Sequence, residues 1–134
     1  MYLIDTDIIV YSLKGHKTVS RNFAQHATAP KAISVVTYGE LRYGAAKSNQ
    51  KAHNLGKVKR IAELFPVVTL STGIMDIYAE LKAELEAGGM PLDDFDLLIG
   101  STALYLNYTL VTNNKKHFSR IVGLSTANWT TKAR

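Results

Sequence analysis

Four short apolar runs, Tyr2 to Ile4, Ala32 to Val36, Val67 to Leu70 and Tyr108 to Thr112, each give way within a few residues to a stretch with helical spacing. Strands separated by helices cannot pair as tight hairpins. They need crossover connections, and the outcome is an α/β fold around a mostly parallel sheet. The run Ala32 to Val36 (AISVV) is β-branched and nearly continuous, as a strand covered on both faces requires. Helices are expected over Thr6 to Leu13, stopped by Lys14-Gly15, and over Thr18 to Ala27, Thr37 to Ala46 and Ala52 to Phe65. Ser71 can cap a long helix with the stripe Ile74, Ile77, Tyr78, Leu81 and Leu85, which Gly88-Gly89 ends. Asp94 to Leu106 is apolar nearly all round and therefore reads as a buried helix. A short turn or helix at Asn114 to Phe118 and a weak strand near Leu124-Ser125 complete the pattern.

With 134 residues and no repeat, linker or low-complexity tract, a single domain over residues 1–134 is expected. A domain of this size buries roughly two-thirds of its unfolded surface, so a core forms without staples. The chain has no cysteine, which excludes disulfides, thiolate metal sites and a cysteine nucleophile. No apolar run approaches the roughly 18 residues of a membrane span, and no signal-peptide pattern opens the chain, so a cytoplasmic protein is expected with no membrane partner. Sixteen Lys and Arg against eleven Asp and Glu give a net charge of +5, a balance that attracts polyanions such as nucleic acid. Lys51, Lys57, Lys59, Arg60, Lys115, Lys116 and Arg120 are candidate phosphate contacts, or simply a solvated surface.

In open parallel sheets ligands bind beyond the carboxyl ends of the strands. That edge receives Asp5 after the first strand, Thr37 and Glu40 after the second, and Thr112, Asn113 and Asn114 after the fourth. Each acid also has a local explanation. Asp5 can cap the first helix, Thr37-x-x-Glu40 has capping-box spacing, and Asp94 can cap the helix it opens. Asp96 is harder to explain locally, because Leu97, Leu98 and Ile99 follow it on a helix expected to be buried, where an unpaired charge is costly. A shared cation would offset that cost. Gathered carboxylates without cysteine suit a hard divalent ion, magnesium with manganese as a substitute, and such an ion serves phosphodiester hydrolysis. The four histidines, His16, His26, His53 and His117, follow no metalloprotease spacing and are expected on the solvated surface.

The blocks YLIDTDIIVYSLKG, ISVVTYGELRYGA, MPLDDFDLLIGSTAL and LVTNNKKHF, in that order, resemble PIN-domain ribonucleases, and more narrowly the VapC toxins of toxin–antitoxin pairs. The resemblance runs from Met1 to about Trp129. It implies a PIN-like α/β/α sandwich, a metal-dependent endoribonuclease, a homodimer and a cognate VapB-type antitoxin that holds it inactive. It maps the acidic site onto Asp5, Glu40 and Asp96, with Asp5 and Asp96 as magnesium ligands and Asp94 as a more distant support. It also places Thr112, Asn113 and Asn114 near the pocket.

Three positions depart from the family pattern. Asp7 replaces the usual asparagine and either adds charge to the pocket or, the favoured expectation, caps the first helix. Gly100-Ser101 replaces a pair of alanines, which loosens a helix and removes no ligand. His117 stands where many relatives carry a fourth acid, which points to one metal and a histidine contact to phosphate. The implied chemistry is in-line attack on RNA by metal-activated water, leaving 5′-phosphate and 3′-hydroxyl ends, with Glu40 orienting the water or taking its proton. Two rivals stay open on sequence: a degenerate PIN module that binds RNA or protein without cutting, and a haloacid-dehalogenase-like phosphatase in which Asp5 is the nucleophile and Asp7 the acid.

Overall fold

The computed structural model describes residues 1–132, so the last two residues of the expected domain lie outside the described residues. Five strands form one sheet in the order β3-β2-β1-β4-β5, with every pairing parallel. They are β1 (Tyr2–Ile4), β2 (Lys31–Ser34), β3 (Val67–Val68), β4 (Thr109–Val111) and β5 (Thr126–Ala127). The helices are α1 (Thr6–Leu13), α2 (Lys17–Gln25), α3 (Val35–Ala46), α4 (Lys51–Leu64), α5 (Thr72–Ala87), α6 (Asp94–Leu106) and α7 (Lys115–Phe118).

Alternation along the central strands builds two cores. Ile4, Ile33 and Val111 point to one face and pack with Ile8, Ile9, Val19, Leu41, Val58, Ile61 and Trp129. Their neighbours Leu3, Ala32 and Leu110 point to the other and pack with Ile99, Ala103, Phe118 and Ile121. The two helical layers therefore sandwich the sheet, an α/β/α arrangement. Gly100 belongs to the second core: a Cβ there would stand 2.7 Å from Ile121 Cδ1, so the missing side chain lets the helix seat against Ile121 and Phe118. Asn107, in the left-handed region with φ 56°, closes α6 and turns the chain into β4.

Some boundaries differ from the expected ones. Strand β2 ends at Ser34, and Val35-Val36 already belong to α3, because the Ser34 hydroxyl accepts from the Val36 amide and starts the helix there. A good cap outweighs the β-preference of two valines. Helix α2 starts one residue earlier than expected, with His16 Nδ1 accepting from the Val19 amide as its cap, and ends at Gln25. His26 is not a solvated surface group either: it stacks on Trp129 with centroids 4.7 Å apart. The last strand lies at Thr126–Ala127 rather than Leu124-Ser125. Among the described residues no helix is long and apolar enough to cross a membrane.

Strand order places the topological switch between β1 and β4, neighbours whose connections run to opposite sides of the sheet. The Asp5 amide donates to the Val111 carbonyl at 2.9 Å, which fixes the end of β1 against the end of β4. Whatever the chain binds at a sheet edge is best placed there.

Candidate active site

Asp5 is held on both carboxylate oxygens. The Thr6 amide donates to Oδ1 at 2.8 Å, so Asp5 is indeed the cap of α1, and the Thr112 hydroxyl donates to Oδ2 at 2.7 Å. Thr112 is fully buried and accepts in turn from the Asn114 amide at 2.9 Å. Capping therefore fixes the carboxylate without removing it from the edge. Burial, then the negative charge of Asp7, pushes the Asp5 carboxyl up to about 7, against the two hydrogen bonds that favour the anion.

Asp7 does not cap α1. It sits in the first turn, where Oδ2 accepts from the Asn113 amide at 3.2 Å and Oδ1 is buried without a hydrogen-bond partner. Burial is the main cause that raises its carboxyl, with Asp96 adding like-charge repulsion. Asn113 is braced from the C-terminal segment: its Oδ1 accepts from Asn128 Nδ2 and from the Thr130 hydroxyl, each at 3.1 Å.

Glu40 is not part of a capping box, because Thr37 lies inside α3 and Ser34 is the cap. Instead Glu40 Oε1 accepts from the Thr6 hydroxyl at 2.8 Å, and that hydroxyl is 3.0 Å from the buried Thr37 hydroxyl. A relay from Thr37 through Thr6 to Glu40 thus ties α3 to the start of α1. Burial raises the Glu40 carboxyl, the Thr6 hydrogen bond opposes this, and Asp96, Asp93 and Asp7 add like-charge repulsion.

Asp96, half-buried in the first turn of α6, is raised chiefly by burial and by Asp93, while His117 opposes the shift. His117 Nδ1 lies 3.6 Å from Asp96 Oδ2 and 2.8 Å from the side-chain nitrogen of Asn114. These contacts make opposite demands. Attraction to Asp96 requires a proton on Nδ1, and accepting from the Asn114 amide requires a lone pair there.

Asp94 is not brought to this cluster. It lies on the exposed side of α6, where Oδ1 takes a 2.8 Å ion pair from Lys82 and a 2.8 Å hydrogen bond from Tyr78. Those hydrogen bonds, Lys82 first, hold its carboxyl below the ordinary value. The acid nearer the cluster is Asp93, whose charge reaches both Glu40 and Asp96. Sequence reasoning missed Thr6 as the donor to Glu40 and gave Asp7 to helix capping. A threonine between two aspartates after an apolar strand was the available signal.

Asp5, Asp7, Glu40 and Asp96 therefore come from α1, α3 and α6 to one edge, and all four are pushed toward the protonated form. Such a nest calls for positive charge, and the unpartnered Asp7 Oδ1 offers an oxygen with nothing to bind. The donors are all oxygens, which fits a hard divalent ion. Among the described residues no group of three or more His, Asp or Glu side chains is arranged to hold a metal ion, so an ion here would rest on one or two carboxylates.

Residues 2–124 match the family model described as PIN domain. Ribonuclease VapC2 of Rickettsia felis is 38% identical over 133 residues, covering 96% of this chain and 98% of its own. The tRNA(fMet)-specific endonuclease VapC of Shigella flexneri is 30% identical over 128 residues, with 96% and 97% covered. Among solved structures, VapBC2 from Rickettsia felis bound to a DNA fragment from its promoter superposes with a TM-score of 0.89 at 37% identity, covering 96% of this chain and 98% of that one. The phosphatase alternative finds no support in these relatives. The acids at the β1–β4 switch, the all-parallel sheet and nearly full-length similarity agree: the chain belongs to the PIN-domain family, among its VapC ribonucleases.

Proposed function

We propose that the chain, working as one PIN domain, is a divalent-metal-dependent endoribonuclease and the toxin half of a VapBC-type pair in the cytoplasm. Its partners are RNA, a VapB-type antitoxin and a second copy of itself. The observation that carries this is the nest of four carboxylates pushed toward the protonated form, one of them with a buried oxygen left unpartnered. A magnesium or manganese ion bound there would lower the pKa of water and neutralise phosphate charge.

The residues divide the remaining work. Asp5 and Asp96 hold the ion, Asp5 in the orientation that Thr112 and the Thr6 amide impose. Asp7 adds charge on the same side. Glu40, aimed by the Thr6 hydroxyl, takes the proton of the attacking water, and burial pushes its carboxyl up toward the operating pH, where a general base is most effective. His117, 3.6 Å from Asp96, is the residue we assign to contact with a phosphate oxygen. Asn113 and Asn114 brace Asp7 and Thr112 through their amides.

The test incubates antitoxin-free protein and its Asp96→Asn variant with total cellular RNA in magnesium, manganese and chelator, with initiator tRNA as a separate arm. Discrete fragments with 5′-phosphate ends, from the unaltered chain and only with metal, are expected. Fragments with 2′,3′-cyclic phosphate ends would reject the mechanism. A folded protein that cuts in no condition would favour a PIN module that binds without cleaving.

A further inference from the structure

On the far side of Glu40 from α4, a cleft of about 740 Å³ opens from Thr6 and Glu40 and runs along α3 toward Lys47. Resting on the ribonuclease proposal above, we infer that this cleft seats an unpaired base of the RNA: Tyr43 and Phe95 stack on the base beside the scissile phosphate, and Lys47 holds the next phosphate.

Tyr43 is 66% exposed and Phe95 51% exposed, two large rings left in water that line one cleft. Glu40, Tyr43 and Lys47 are three and four residues apart, so they share one stripe of α3, with Lys47 about 10 Å beyond Glu40 along the axis. Lys47 Nζ lies 4.9 Å from the Tyr43 ring centre. An aromatic face beside an ammonium is the pairing with which single-stranded nucleic acid is bound, base on ring and phosphate on cation.

The floor of the cleft supports the same occupant. Gly39 and Gly44 line it, and a Cβ at either would meet no atom within 4 Å. Glycine weakens a helix interior relative to alanine, and nothing within the fold demands it at these two positions. Bare backbone there permits close approach from outside. Continuity decides what approaches: a strand whose phosphodiester lies at Glu40 must place its flanking nucleotide near Thr6 and Glu40, where the cleft begins. A protein segment would face the same rings but would not require a cation at the far end.

The test measures fluorescence anisotropy of labelled single-stranded dodecamers of uridylate and adenylate RNA, intact or with one abasic position, in an Asp96→Asn background so that binding is read without cleavage. Tyr43→Ala should weaken binding about 5-fold or more, the lower end of measured base–aromatic stacking, and Tyr43→Phe should restore it. Gly39→Leu should lower affinity similarly while leaving the thermal midpoint unchanged or higher, a combination that damage to the fold cannot give. An abasic position should reproduce the loss in the parent and add nothing in Tyr43→Ala.

Affinities unchanged in both Tyr43→Ala and Gly39→Leu would overturn the inference. Altered sedimentation of those variants without altered RNA affinity would overturn it too, and would assign the cleft to contact between copies of the chain. Cleavage by the unaltered chain tests the ribonuclease proposal separately. If cutting stands while Tyr43 is indifferent, only the base seat falls; if RNA stacks on Tyr43 but is never cut, only the catalytic proposal falls.

Discussion

Asp94 and Asp96 occupy the same first turn of α6 and meet opposite electrostatic fates. Asp94 faces solvent beside α5, where Lys82 and Tyr78 hold its carboxyl down and Lys82 is itself pushed up to about 12. Asp96, on the other side of the helix, looks into a half-buried edge shared with Asp5, Asp7 and Glu40, and its carboxyl is pushed up. One surface supplies its own counter-charge. The other does not, and that deficit of positive charge sets it apart from the solvated ion pair.

The contrast is most strongly tested by exchanging one carboxylate at a time. Asp96→Asn should lower RNA cleavage by about 100-fold or more, the scale of losing an essential group, with the circular dichroism spectrum unchanged. Residual cleavage near that of the unaltered chain would mean that the edge does not organise the reaction.

The next effect is on stability. In metal-free protein, Asp5 titrates near 7 when folded and near 3.8 when unfolded. Between those values the folded state keeps a proton that the unfolded state has released, so stability is full below the lower value and falls as pH rises through the higher one. Chemical denaturation in chelator should show a loss of about 2–4 kcal/mol from pH 4 to pH 8, and Asp5→Asn should remove most of that slope. A profile equally steep in the variant would place the repulsion elsewhere.

Thr6→Val removes the donor that aims Glu40. Cleavage should fall about 10-fold, as for losing roughly 1.5 kcal/mol of hydrogen bonding to a charged group. Because that hydrogen bond holds the Glu40 carboxyl down, its removal should also move the acid limb of the rate profile to higher pH. A purely structural threonine would leave that limb in place. The smallest effect belongs to the opposite face: Asp94→Asn should leave cleavage unchanged, and any shift in its thermal midpoint should disappear in high salt.

Much of this edge was legible in the sequence because local pattern and topology coincide. An apolar strand ending in Asp5, a helix carrying Glu40 after the second strand, and an acid before Leu97-Leu98-Ile99 all point to the carboxyl ends of a parallel sheet. What was not legible depends on contacts remote in sequence. Thr6 reaches Glu40 across 34 residues, and the Asn113 side chain is set by Asn128 and Thr130 from the C-terminal segment. His26 stacks on Trp129, a partner more than a hundred positions away. Val35 and Val36 read as strand because intrinsic preference says so, while the Ser34 cap decides otherwise.

The most direct test is manganese titration of the unaltered chain, Asp94→Asn and Asp96→Asn at pH 7, followed by calorimetry in two buffers that differ in protonation enthalpy. Carboxylates held partly protonated must release protons when a cation replaces them. The unaltered chain and Asp94→Asn should bind manganese with equal affinity and proton release, and Asp96→Asn should bind at least about 10-fold more weakly, the scale on which altered metal surroundings change affinity. Equal binding by all three proteins, or binding without proton release, would contradict the assignment of the β1–β4 edge as the cation site.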